Sequence, residues 1–229
     1  MSAIVDKIIS RGHWDVSIAP EHFEPERVPY GELEEALRRS VVSLRGWPVP
    51  FIDHRVDVIR RENWIGQDID ASTVEMYEAW RFFQSGRFNH LRSVSADWRR
   101  GTEATPTPAS AESVIEVWEI LYYLTEVMEL ASKLSLTQAG NDRMAITAIL
   151  SKLQKRALVL GFSDRPPWPW EYVSDVKSLT VRRIVGREQL ISDGHRLAAD
   201  MAREVFLRFG WKPAVDQLVG LQAGLLNSQ

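Results

Sequence analysis

The sequence predicts an α+β fold, in which antiparallel sheet strands pack with a long amphipathic central helix and two C-terminal helices. Short segments with strand-like alternation of apolar and polar residues occur in both halves of the chain. Between them, residues 111–134 repeat apolar positions at helical spacing. Two further helical segments close the chain on either side of a break at Gly210 and Pro213.

The N-terminal half begins with a predicted strand at residues 15–19, followed after a Pro-bounded loop by an amphipathic helix at residues 32–44. Gly46 is expected to end this helix. Residues 47–52 contain two prolines and are expected to form an extended edge strand, because a residue that precedes proline avoids helical geometry. A second strand is expected around residues 63–66.

Residues 74–84 are predicted to form a helix that Ser85 and Gly86 end. Residues 87–97 alternate in polarity and are predicted to form a third strand. Its alternation separates the side chains into two faces, and neither face is purely basic.

Residues 101–110 are rich in Pro, Thr and Ala and have no apolar periodicity. We interpret them as a linker or long loop. They separate an N-terminal half at residues 1–100 from a C-terminal half at residues 111–229, and the sequence leaves open whether the halves pack as one compact domain.

The helix at residues 111–134 is predicted to begin after Ser110, which is placed to act as its N-cap. One side carries an apolar stripe, expected to pack on a core: Val114, Val117, Leu121, Leu124, Met128 and Ala131. The opposite side carries Glu112, Glu116, Glu119 and Glu126. These glutamates are interpreted as a solvated face, with the alternative that they receive arginines of the N-terminal half.

After this helix, residues 144–150 and 156–160 flank a short polar connection and are predicted to form a hairpin, and residues 178–185 are predicted to form a strand. Helices are expected at residues 187–209 and from Pro213 to about residue 226. Asp216 is the only charged residue of the last helix, which argues against a DNA-reading role. Its leucines suit core packing or a homo-oligomer formed through the C-terminal helices.

Composition excludes several classes of protein. The 229 residues contain no Cys, which rules out disulfides, thiolate zinc sites and a Cys nucleophile and suits a reducing, cytoplasmic location. No signal peptide is readable, and no apolar stretch approaches the roughly 18 residues needed to cross a bilayer, so no membrane association is expected. The net charge of −3 means that nucleic-acid binding would need a local basic patch.

Common catalytic and cofactor motifs are also missing from the sequence. There is no phosphate loop, no dinucleotide-binding Gly-x-Gly-x-x-Gly turn, no His-Glu-x-x-His pair and no Gly-x-Ser-x-Gly elbow. No two of the five His lie four residues apart. We therefore expect no cofactor and assign no catalytic residue.

A weak candidate for a metal site is Asp68 and Asp70, with Asp53, His54 and Glu75 nearby in the sequence. Hard cations such as Mg²⁺ favour carboxylates of this kind. The alternative is that these are ordinary loop residues, with Asp70 or Ser72 capping the predicted helix that follows.

The most basic stretch of the chain lies between residues 81 and 100. Arginine binds phosphate through paired hydrogen bonds and aromatic rings stack on bases, so this stretch is a candidate surface for nucleic acid or another phosphate-bearing ligand. The alternative is that the arginines cover aromatic rings and pair with the glutamates of the central helix. The candidate residues are Arg81, Arg87, His90, Arg92, Trp98, Arg99 and Arg100.

A second candidate surface is the segment Arg165-Pro-Pro-Trp-Pro-Trp170, a rigid aromatic loop. Trp168 and Trp170 are candidates for gripping a protein partner or for packing on the protein's own surface.

Three strings of the sequence resemble motifs of a poorly characterised prokaryotic module: Arg45-Gly-Trp-Pro-Val-Pro-Phe-Ile-Asp53, Trp80-Arg-Phe-Phe-Gln-Ser-Gly-Arg-Phe88 and Arg208-Phe-Gly-Trp211. The resemblance spans most of residues 40–215. The module is associated with proteins that carry an Alba-like, Schlafen-class DNA-binding domain, and the resemblance implies a bacterial accessory or defence-associated protein. This chain shows no separate Alba-like domain, so neither a DNA-linked role nor any catalytic residue is carried over.

The leading functional interpretation is a non-catalytic binding or accessory module that contacts protein and, as a second class of partner, nucleic acid. Two alternatives stay open. One is a hydrolase or nuclease that uses a divalent metal at Asp68 and Asp70, and the other is a structural subunit of an oligomer.

Overall fold

The structure, a computed structural model, describes residues 2–100, 105–161 and 171–226. The helices in these ranges are α1 (Ala3–Ile9), α2 (Leu33–Ser40), α3 (Val117–Ser135), α4 (Arg187–Leu207) and α5 (Val215–Leu226). The strands are β1 (His13–Pro20), β2 (Ile59–Arg61), β3 (Trp64–Ala71), β4 (Met76–Phe83), β5 (Phe88–Ser93), β6 (Ser113–Glu116), β7 (Arg143–Ser151), β8 (Arg156–Val159), β9 (Tyr172–Ser174) and β10 (Ser178–Gly186). The α+β class and the C-terminal helices are confirmed.

Seven strands form an antiparallel sheet in the order β10-β7-β1-β5-β4-β3-β2. Strand β1 is an interior strand, third in this order, and pairs with β5 on one side and with β7 on the other. The sheet therefore joins strands from before and after the predicted linker. A smaller sheet has the order β6-β8-β9, with β6 and β8 parallel.

The two faces of the large sheet have different environments. One face carries the main core, because alternate residues such as Trp14, Val16 and Ile18 of β1 are fully buried beneath the helices. The outer face is partly covered by α1, whose Ile8 packs with Tyr77 and Ala79 of β4. Among the described residues, no helix is long and apolar enough to cross a membrane.

The predicted helix at residues 74–84 is wrong, because this segment forms strand β4. Six of the eight residues of β4 are buried, since α1 covers one face and the main core covers the other. A strand buried on both faces loses the alternation that distinguishes it from a buried helix. Ser85 and Gly86 lie in the connection of the β4–β5 hairpin rather than at a helix end.

The predicted start of the long helix is also wrong. Residues 113–116 form strand β6, as their β-branched Val114 and Ile115 favour, and α3 begins only at Val117. Ser110 is not an N-cap; its hydroxyl donates to the carboxylate of Glu171 instead.

Smaller corrections concern the connections between elements. Helix α2 ends at Ser40, before the β-branched pair Val41 and Val42, and residues 47–52 form only an isolated bridge between Val49 and Val42 rather than an edge strand. Residues 144–150 and 156–160 do not form a hairpin, because β7 and β8 belong to different sheets. The predicted strands at residues 15–19 and 178–185 are confirmed as β1 and β10, and residues 63–66 fall largely within β3. The predicted strand at residues 87–97 is confirmed as β5 only for Phe88–Ser93, because Ser95–Asp97 form a 3-10 turn.

The β4–β5 turn generates a stability prediction. Gly86 has φ +79°, and a Cβ there would lie 2.1 Å from the carbonyl oxygen of Ala139, whereas Gly46 has φ +76° with nothing within 4 Å. We expect Gly46→Ala to cost about 1 kcal/mol of unfolding free energy from backbone strain alone, and Gly86→Ala about 3 kcal/mol because overpacking adds to it. Urea unfolding measures both, and equal costs would show that the contact with Ala139 is unimportant.

Candidate functional site

Most of the sequence-predicted arginines are engaged inside the protein. Arg92 lies on the core face of β5, where its Nη1 is 3.6 Å from Oε2 of Glu126 and its guanidinium lies over the ring of Tyr123. Arg45 binds the same carboxylate, at 2.8 Å and 2.5 Å. Burial alone would lower the pKa of Arg45, but the bonds to Glu126 raise it overall.

The other helix glutamates are buried as well. Glu116 accepts from Arg99 Nη1 at 2.6 Å and from the hydroxyl of Thr105 at 2.7 Å, and Glu119 accepts from the backbone N–H and hydroxyl of Ser95, both at 2.9 Å. Glu116, Glu119 and Glu126 are at most 4% exposed, so the interpretation of a solvated face is wrong for them. The alternative, in which they receive arginines, describes Glu116 and Glu126; only Glu112 remains exposed.

His90 lies in the core rather than on a ligand surface. Its Nδ1 is 2.9 Å from the hydroxyl of Tyr123, and its Nε2 is 3.4 Å from Oε2 of Glu78. All three side chains are at most 1% exposed, and burial raises the pKa of Tyr123. This group resembles a catalytic triad in composition, but substrate has no access to it, so we assign it a structural role.

The carboxylates of the proposed metal site are held by cations of the protein. Asp68 pairs with Arg81 at 2.5 Å, and Asp70 lies 3.5 Å from Lys7 and accepts from the backbone N–H of Ser72. Asp53 pairs with Arg55. In the ranges that the structure covers, no group of three or more His, Asp or Glu side chains is arranged to hold a metal ion. These contacts favour ion pairing over metal binding, but Asp68 and Asp70 lie on strand β3 rather than in a loop, and the helix that Asp70 was expected to cap is strand β4.

The remaining sequence candidates differ in their environment. Arg87 and Arg100 are exposed. Trp98 packs against Tyr77 at 4.5 Å between ring centroids and has the guanidinium of Arg11 over its ring at 4.2 Å, so these neighbours already occupy much of its ring surface. Trp168 and Trp170 lie outside the described residues.

A cleft of about 940 Å³ opens at one end of the large sheet. Its floor contains His13, Ser151 and Ser178, which lie side by side because β7 pairs with β1 on one side and with β10 on the other. The turn after β5 and the first residues of β6 form a wall. The cleft therefore lies where the two sheets meet.

The lining of the cleft is cationic. It contains five cationic side chains, two carboxylates and six hydroxyl side chains. The cations are Arg11, Arg99, Lys152, Arg156 and Lys177; the carboxylates are Asp97 and Glu112; the hydroxyls belong to Ser10, Thr105, Thr107, Ser113, Ser151 and Ser178.

Both carboxylates of the cleft are neutralised by the protein itself. Asp97 binds Arg156 through both oxygens, at 2.7 Å and 2.8 Å, and also accepts from the N–H of Gly12. Glu112 pairs with Lys155 at 2.6 Å. Arg11, Lys152 and Lys177 have no acidic side-chain partner among the described residues. Arg11 donates to the backbone carbonyl oxygen of Asp97 and lies over the ring of Trp98, and neither contact neutralises its charge. They supply the uncompensated positive charge of the cleft.

The turn that presents Lys152 is strained. Lys152 has φ +61° and Lys155 has φ +56°. This left-handed conformation is usually adopted by Gly or Asn. Non-glycine residues in this conformation occur disproportionately at functional sites. A lysine retained at such a position on the rim of a cationic cleft is consistent with a binding role.

Sequence reasoning missed this cleft because its charges come from distant segments. Arg11, Lys152 and Lys177 are single charges in unremarkable surroundings, and only the order of β1, β7 and β10 brings them together. Of the sequence-predicted site residues, Arg99 lines the cleft, and its head group is committed to Glu116.

Comparisons of the chain with protein-family models, with curated proteins and with solved structures gave no match. The similarity to the prokaryotic module thus remains an expectation from the sequence.

Glu119 generates a prediction about pH. Burial raises its pKa above the ordinary value of 4.5, although Ser95 and Arg92 favour the ionised form. An acid with a raised folded-state pKa stabilises the fold most below its unfolded-state pKa and loses that contribution as pH rises through the folded-state value. We therefore expect the unfolding free energy of Glu119→Gln, measured with urea, to increase relative to that of the wild type as pH rises above about 4.5.

Glu34→Gln is the matched control for this experiment. In the wild type, the hydrogen bond that Arg38 donates to Glu34 lowers the pKa of Glu34. Glu34 stabilises the fold above its unfolded-state pKa, and this stabilisation is lost as pH falls. The unfolding free energy of the wild type should therefore increase relative to that of Glu34→Gln as pH rises. A pH-independent difference for Glu119→Gln would contradict the prediction.

The strained turn generates a second prediction for this region. Lys152→Gly relieves about 1–2 kcal/mol of left-handed strain and adds about 0.5–1 kcal/mol of unfolded-state entropy, so we expect the unfolding free energy to rise by about 0.5 kcal/mol. Lys152→Ala, which keeps the strain, should bring no such gain. Chemical denaturation measures both, and a destabilised Lys152→Gly would show that the side chain supports the fold.

Proposed function

We propose that the protein is a non-catalytic binding module that holds phosphate groups of nucleic acid in the cationic cleft. The observation that carries this proposal is the imbalance of the lining, where both carboxylates are paired while Arg11, Lys152 and Lys177 are not. Lysine, arginine and hydroxyl side chains are the groups that contact the nucleic-acid backbone in complexes. The cleft has all three kinds in reach of one ligand.

Binding is favoured over catalysis by the pairing of the two carboxylates in the cleft. Asp97 is committed to Arg156 and Glu112 to Lys155. General acid–base chemistry needs a group that is within reach of the reacting atom and able to exchange a proton. Asp97 and Glu112 act instead as counter-ions that fix the cationic side chains.

The other modes of action expected from the sequence have less structural support. The last helix uses Leu218 in the protein's own core, and its partly buried Val219 and Leu221 pack against that core, so much of its apolar side serves the fold. An accessory role in a bacterial system rests on the sequence resemblance alone.

The proposal is tested by binding of a fluorescent twelve-nucleotide oligothymidylate, followed by anisotropy over a range of salt concentrations. We expect affinity to fall with salt, because each phosphate contact releases counter-ions. The triple variant Arg11→Gln, Lys152→Gln, Lys177→Gln should lower the slope of log K against log salt by about 2, since each contact to a single strand contributes about 0.7.

Two turn variants serve as a matched pair in the same assay. Lys152→Gly and the double variant Lys155→Gly, Glu112→Gln relieve the same kind of backbone strain, but only the first removes uncompensated charge from the cleft, because the second removes Lys155 together with its partner carboxylate. We expect the larger loss of affinity for Lys152→Gly. Salt-independent binding, absent binding, or a triple variant that folds and binds like the wild type would contradict the proposed function.

A further inference from the structure

The outer face of the large sheet continues from the cleft. Ser178, Ser151 and His13 form the first row across β10, β7 and β1, at the floor of the cleft. Four residues along the strands, the pairing aligns Arg182, Thr147, Ser17 and Asn89 in a row across β10, β7, β1 and β5. Each of these four side chains is polar and at least partly exposed.

This outer face also carries an excess of positive charge. Arg182 and Arg87 are exposed, and neither has an acidic partner among the described residues. Arg87 is held across the face, because its Nε donates to the hydroxyl of Ser17 at 3.2 Å and to Oδ1 of Asn89 at 2.9 Å. Opposing them on these strands is the exposed carboxylate of Asp15. The positive surface of the cleft therefore extends over the sheet.

We propose that the ligand is a single strand of nucleic acid that enters the cleft and continues across the outer face to Arg182 and Arg87. This inference rests on the proposed function and specifies its ligand. A duplex is usually read by a helix or β-ribbon that protrudes into a groove. Here the cationic groups line a recess and a sheet face, which suits a narrow, flexible strand.

The face also specifies how the strand is held. On β1, β5, β7 and β10 the outward-pointing residues that the structure describes include no Phe, Tyr or Trp. Stacking platforms, which contribute about 1–3 kcal/mol per base, are therefore missing from this track. Binding proceeds through backbone contacts and depends little on base sequence.

The geometry sets the length of strand that is needed. Ser178 and Arg182 are four residues apart on β10, which corresponds to about 13 Å at 3.3 Å per residue. At about 3.4 Å per nucleotide along one strand, about four nucleotides beyond the cleft are needed to span this distance. A four-nucleotide oligothymidylate held in the cleft stops short of Arg182, and a twelve-nucleotide one passes it.

The experiment compares both oligonucleotides on the wild type, Arg182→Gln and Arg208→Gln. Arg208 is the control, since it is an exposed arginine that follows α4 in the helical layer. We expect Arg182→Gln to weaken binding of the twelve-nucleotide strand about five- to tenfold at about 50 mM salt, the effect of losing one counter-ion release contact. It should leave the four-nucleotide strand unaffected, and Arg208→Gln should change neither.

Four results would overturn the inference. If Arg182→Gln leaves the twelve-nucleotide affinity unchanged while the triple cleft variant abolishes it, the track is wrong and the cleft stands. If a twelve-base-pair duplex binds as tightly as the single strand, the ligand class is wrong. If poly-glutamate binds as tightly as the oligonucleotide at equal charge, or neither oligonucleotide binds the wild type, the nucleic-acid function fails together with the track.

Discussion

The pairing of arginines with two buried glutamates, Glu116 at the end of β6 and Glu126 on α3, is the interaction on which the rest of the structure depends. Arg45, which follows α2, and Arg92 on β5 both bind Glu126, while Arg99 binds Glu116 at the start of α3. A carboxylate in such a position is costly unless a cation and hydrogen bonds compensate it. The pairs therefore require α3, the large sheet and the α2 connection to meet in one register, which apolar contacts alone would specify less strictly.

The same pairing decides where ligand can bind. Arg81, Arg92 and Arg99 make the central sequence look like a basic surface, yet each is committed to a carboxylate of the fold. Cationic side chains without an acidic partner, such as Lys152 and Lys177, form the exposed positive region of the cleft. They do so although the whole chain carries a net charge of −3. Net charge and local charge thus point in opposite directions, and only the local charge is relevant to a ligand within about 10 Å, the Debye length at 0.1 M salt.

What could be predicted from the sequence was the part with clear periodicity. Alternation identified β1, β5 and β10, and helical spacing identified α3 and α4, because these elements have one face toward the core. Strand β4 was misassigned because both of its faces are covered. The cleft was beyond reach because Arg11 and Lys152 become neighbours only through the non-sequential pairing of β1 with β7, and single-sequence reasoning has no information on such long-range pairing.

The interior position of β1 in the sheet has a consequence for how the chain assembles. Its residues pair with β7, more than half of the chain away, so a ribosome must synthesise most of the protein before that side of β1 can be covered. Contacts of such long sequence separation are entropically expensive to close and slow folding. Until then one edge of β1 stays unpaired, the kind of edge that invites pairing with other chains. Residues 101–110 therefore separate, along the chain, two groups of strands that share one sheet, and neither group forms the complete sheet without the other.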